Sequence, residues 1–114
     1  MALNVEEIFS AMMEAGKESF AGNWETISNY AETEFMKMAT QIVEIGENVA
    51  AHEIDPSQGY DAEAGKILLN MQRLATANVF IAVSAMSEIT VRQALDAMFK
   101  VVRNAIGGVL TSIL

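Results

Sequence analysis

LATANVFIAVSAMS, residues Leu74 to Ser87, holds fourteen consecutive positions without a charged side chain. It lies inside Asp61–Leu114, which has no proline and, after Gly65, no glycine before Gly107-Gly108. With no breaker in between, the stretch reads as one long helix from Asp61 to about Ile106. Around Val79, Phe80, Ile81 and Val83 that helix is apolar on most of its circumference, so it calls for cover on all sides.

Upstream, the pattern changes to a single stripe. Trp24, Ile27, Ala31, Phe35, Met38, Ile42, Ile45 and Val49 recur at spacings of three and four, while Glu25, Glu32, Glu44 and Glu47 fall away from that line. This predicts an amphipathic helix over about 24–54. Asp55-Pro56-Ser57-Gln58-Gly59 then supplies the only proline of the chain and a turn, with Asp55 and Gln58 in position for a one-turn capping box and Asp61 as the cap of the next helix. At the start, Asn4 caps a short helix over about 4–15. Glu6 and Glu7 sit in its first turn, and Val5, Ile8, Met12 and Ala15 share one face. Gly16 and Gly22-Asn23 suggest a bend between residues 16 and 23.

The expected architecture is a single all-α domain, an elongated helical hairpin of two long antiparallel helices with a corner at 55–60 and a short extra N-terminal helix. At 1.5 Å per residue the second arm would reach roughly 70 Å against about 45 Å for the first. Such a rod has no centre in which to hide its apolar residues. The composition points the same way, with 52% hydrophobic and 19% charged residues and a mean hydropathy of +0.25. The tail, Ala105 to Leu114, has six aliphatic or alanine residues in ten and is expected to dock on another subunit, with docking within its own chain or contact with a membrane as the alternatives. The expected self-assembly interface therefore comprises Val79, Phe80, Ile81, Val83, Met86, Ile106, Val109, Leu110, Ile113 and Leu114.

Charge is unevenly divided. Residues 1–63 hold thirteen acids and two bases, residues 64–114 two acids and five bases, within a formal net charge of −8. The two halves should attract one another, within a chain or between chains. Glu88, Arg92, Asp96 and Lys100 alternate in sign along one edge, as a solvated stripe would. Dispersed bases on an acidic chain make nucleic acid a poor partner.

No motif for catalysis is present. His52 is the only histidine and there is no cysteine, so neither a His-based triad nor a thiolate or His-rich metal site can be assembled. A di-iron bundle would need Glu-x-x-His pairs, and Glu44, Glu47 and His52-Glu53 do not form them. No cofactor is expected. The N-terminus lacks a secretory signal and no apolar run reaches the ~20 residues of a spanning helix, which implies a cytoplasmic protein or non-classical export.

The Asp55-Pro56 turn, followed by a long helix with Met71-Gln72 near its start, resembles the small all-helical subunits of bacterial export rods and needles over about half the chain. The Gly107-Gly108 apolar tail departs from that pattern. The resemblance implies helical assembly and assigns no residue a role. The function expected is thus a non-enzymatic structural subunit that packs with copies of itself into a filament, tube or other particle. A membrane-associated amphipathic protein is the alternative, and the acidic balance weighs against it.

Overall fold

The computed structural model describes residues 3–108 and 110–114, and all its regular elements are helical. Helix α1, Val5–Phe20, begins where the Asn4 side chain accepts the Glu7 N–H at 3.1 Å. It continues past Ala15 because Gly16 acts as a point of close approach: a Cβ there would lie 2.8 Å from the Phe35 ring and 2.9 Å from that of Trp24. The break comes at Ala21, with φ 48°, and the single 3₁₀ turn Ala21–Asn23 leads into α2, Trp24–Ile54. Seven of the eight residues of the sequence stripe on α2 are buried, and Trp24 is half-buried.

The turn after α2 closes on Asp55. Its carboxylate accepts both the backbone N–H and the hydroxyl of Ser57, and its carbonyl accepts the Gln58 N–H at 2.9 Å. The expected capping box is therefore replaced by an Asx turn, the side chain serving Ser57 instead of Gln58. Those bonds from Ser57, the backbone one foremost, hold the Asp55 carboxyl below its ordinary value. An imidazole N–H of His52 donates to the Gln58 carbonyl at 3.1 Å, which ties the turn to the end of α2. Asp61 then caps α3, Ala62–Val83, by accepting the Ala64 N–H.

The expected single long helix does not form. It is interrupted at Ser84, whose backbone is extended (φ −129°, ψ 174°), and restarts as α4, Glu88–Ile106. Two serine hydroxyls replace the helical bonds lost there: Ser84 Oγ donates to the Phe80 carbonyl at 2.6 Å and accepts from the Met86 N–H, while Ser87 Oγ accepts from the Thr90 N–H. A straight helix would keep roughly four more backbone bonds, each worth about 1 kcal/mol net. Folding back instead encloses Val91, Leu95, Met98 and Val102 completely, at about 1.5–3 kcal/mol for each side chain. Burial outweighs the lost bonds.

Neighbouring helices alternate in direction. Ile8 lies beside Gly46, and Gly16 beside Phe35; Gly65 lies against Ile45 and Val49, and Thr76 opposite Glu34; Arg73 meets Asp96; Phe20 shares a groove with Thr90, and Ile8 one with Ile106. Each helix thus packs antiparallel to the next, and α4 closes the ring on α1, an up-down-up-down four-helix bundle. The molecule measures 46 × 22 × 19 Å, so the roughly 70 Å arm of the expected hairpin is replaced by a body as long as α2. Its 6450 Å² of accessible surface is close to the ~6,100 Å² of a compact monomer of this mass. A shared centre exists after all. Phe80 lies at the heart of one end, edge-on to Phe20 (5.4 Å) and Phe35 (5.9 Å).

After α4, Gly107 and Gly108 take positive φ (68° and 62°), and the short α5, Leu110–Ile113, turns back over α3. A Cβ on Gly65 would lie 2.9 Å from Ile45 and 3.4 Å from Ile113, which shows how closely α2, α3 and α5 meet.

Candidate functional site

The residues expected to form an interface divide into two groups. Phe80, Leu110 and Ile113 are enclosed within the chain's own core, where a side chain has no surface left to offer a neighbour. Val79, Ile81, Val83, Met86, Ile106 and Leu114 are half-buried and pack against that core. Val109 lies outside the described residues. The tail thus docks on its own α3, and removing it would uncover that helix around Gly65 in the same molecule.

Apolar surface is instead exposed on the outer side of α3. Ile67, Met71 and Leu74 are 60%, 63% and 47% exposed and stand at i, i+4 and i+7, one face of the helix. Asn78 and Ala82, both exposed, prolong that face without adding charge. The inner face of α3 is taken up by Leu69, Thr76, Ala77 and Phe80, so a helix that is apolar all round has one side covered and one side open. The sequence places the surplus in the uncharged segment Leu74–Ser87; the exposed stripe meets that segment at Leu74 and begins two turns earlier, where Lys66 and Arg73 on the flank mask it.

Beside the stripe the bundle is least tightly joined. The α3–α4 contact is the smallest of the four around the ring, and it leaves a groove of about 330 Å³ with Leu74, Ala77 and Leu95 among its apolar lining and Asn70, Arg73, Arg92 and Asp96 as its polar part. Arg73 bridges the two helices. Its guanidinium lies 4.4 Å from the centre of the Phe99 ring and donates to Asp96 at 2.9 Å. Its Nε–H, buried in the same place, has no acceptor among the described residues. Arg92 is held by Glu88 one turn earlier at 2.8 Å. Among the described residues no ion pair joins the acidic half to the basic half, since Lys37 pairs with Glu34 at 3.2 Å.

The charge division of the sequence becomes a division between two edges of the bundle. Helices α1 and α2 together carry ten acids and two bases, while α3 and α4 carry three acids and five bases. The edges have opposite sign, −8 against +2. Acidic side chains are spread along the α1–α2 edge, and among the described residues no three or more His, Asp or Glu residues are gathered so as to hold a metal ion. No helix among them is long and apolar enough to cross a membrane. The one carboxylate drawn into the interior among the described residues, Glu34, accepts from Lys37 and, at 3.4 Å, from Thr76 across α2 and α3. It fastens two helices. Comparisons with protein-family models, with curated proteins and with solved structures find no match to this chain.

Proposed function

We propose that this protein is a non-enzymatic structural subunit that self-assembles, through the outer face of α3, into a homo-oligomeric particle such as a filament or tube. The observation that carries this reading is the exposed Ile67–Met71–Leu74 stripe; the other well-exposed large apolar side chains, Tyr30, Met36, Ile54, Ile89 and Val101, do not recur at consecutive turns of one helix. Scattered single apolar residues on a surface need no explanation, but three at consecutive turns of one helix form a seam of the kind that pairs helices. Stable contacts bury about 800 Å² on each partner. Three side chains do not expose that much, so the adjoining groove and its charged rim belong to the contact.

The test is the size of the purified protein in lipid-free buffer, by light scattering and negative-stain imaging. Large, regular species are expected. Met71→Glu combined with Leu74→Glu should reduce them to monomers while leaving helical circular dichroism unchanged, because both positions face solvent in a single copy. A wild-type protein that remains monomeric at every concentration overturns the reading. Flotation with liposomes distinguishes contact with lipid, for which the same stripe would be used: the protein is expected to stay at the bottom of the gradient.

A further inference from the structure

We infer that the α3 stripe of one copy seats on the outer groove between α1 and α2 of the next, so that the junction joins two different surfaces and repeats in one direction. This rests on the self-assembly reading above and names the partner of the same site. The receiving groove, of about 400 Å³, has Phe9 and Met36 as its apolar lining, with Thr33 and the acid Glu32 beside them. Met36 is 38% exposed and Phe9 half-buried, so the lining is accessible, and a thioether conforms to whatever side chain is laid upon it. The base in this groove, Lys37, is held by Glu34.

Charge selects this pairing over the symmetric one. Stripe against stripe would bring two net-positive edges together, with Lys66, Arg73 and Arg92 of each copy near those of the other. Stripe against the α1–α2 groove sets that edge on one carrying ten acids, where attraction replaces repulsion. The two surfaces lie on opposite sides of the ring, since α1–α2 and α3–α4 are its opposite edges. A copy bound by its stripe therefore still presents its groove, and the contact propagates as an open fibre unless the rotation between copies closes it.

Two variants, each blocked on one side, test the junction. Met71→Glu/Leu74→Glu removes the stripe and keeps the groove; Met36→Arg fills the groove with bulk and positive charge and keeps the stripe. Each alone should be monomeric by light scattering, and an equimolar mixture should form a dimer and grow no further, with raised salt weakening that dimer at least tenfold. If wild type assembles and Met36→Arg still assembles or dimerises by itself, the junction is overturned and the assembly reading stands. If wild type is monomeric, both fall. Thr33→Arg, at an exposed position of the same groove, gives the same discrimination should Met36→Arg lose its helical signal.

Discussion

Phe80→Ala tests whether the apolar segment belongs inside one molecule. The ring is fully enclosed and makes edge-on contacts with Phe20 and Phe35. Truncating a buried Phe to Ala costs about 3–5 kcal/mol, the lost aromatic pairs being part of that figure. Against a total stability of about 5–15 kcal/mol this leaves a marginal fold. With a slope near 2 kcal/mol per M in urea, the unfolding midpoint should fall by about 2 M with the slope unchanged. The measurement belongs in the Met71→Glu/Leu74→Glu background, so that association adds nothing to stability. Met98→Ala, equally enclosed, should behave alike, whereas Ile67→Ala, on the outer face, should stay within about 0.5 kcal/mol. A Phe80→Ala protein that unfolds within 0.5 M of its parent would mean that the ring lies outside a core, and the bundle would have to be abandoned for an extended arrangement.

Three further outcomes follow from the geometry. Ser87→Ala removes the hydroxyl that accepts the Thr90 N–H and should cost about 1 kcal/mol, read as a lower unfolding midpoint. Gly65→Ala drives a methyl to within 2.9 Å of Ile45 and should cost about 1–3 kcal/mol, with amide exchange accelerated first in α5, which packs on the same spot. The Asp55 carboxyl is held below its ordinary 3.8, so the bonds from Ser57 contribute fully above that value and are lost as pH falls through the lower native one. Ser57 amide exchange, followed between neutral and strongly acid pH, should show the turn loosening only at the acid end, and Asp55→Asn should remove that dependence.

Local signals were read correctly wherever one residue type answers one backbone need. Asn4 and Asp61 cap their helices, the turn falls at Asp55-Pro56, and α2 spans Trp24–Ile54 with its buried stripe in register. The end of α1 was misplaced because a glycine in a helix reads as a weak point, and only the nearby Phe35 and Trp24 rings show why Gly16 is there. The corner at Ser84–Ser87 was missed for a different reason. Serine costs a helix only about half a kcal/mol, so nothing local demands a break. What makes the break favourable is the face of α4 finding the face of α1, a gain invisible until both are placed together. Ser87 followed by Glu88, a cap with an acid in the first turn, was the available hint. The exposed stripe was legible in spacing, Ile67 to Met71 to Leu74, but which side of an all-round apolar helix stays open depends on where its neighbours settle.

The most extensive helix pairing in the bundle joins the first helix to the fourth, with two whole helices between them along the chain. During synthesis α1 can therefore pack on α2 early, but the cover that α4 gives it must wait until residues beyond Ser87 leave the ribosome. Contacts of such long range are slow to close, and a half-made chain meanwhile shows the solvent a surface that the finished one conceals. Nascent chains stopped before α4 should for that reason be the ones that need a chaperone.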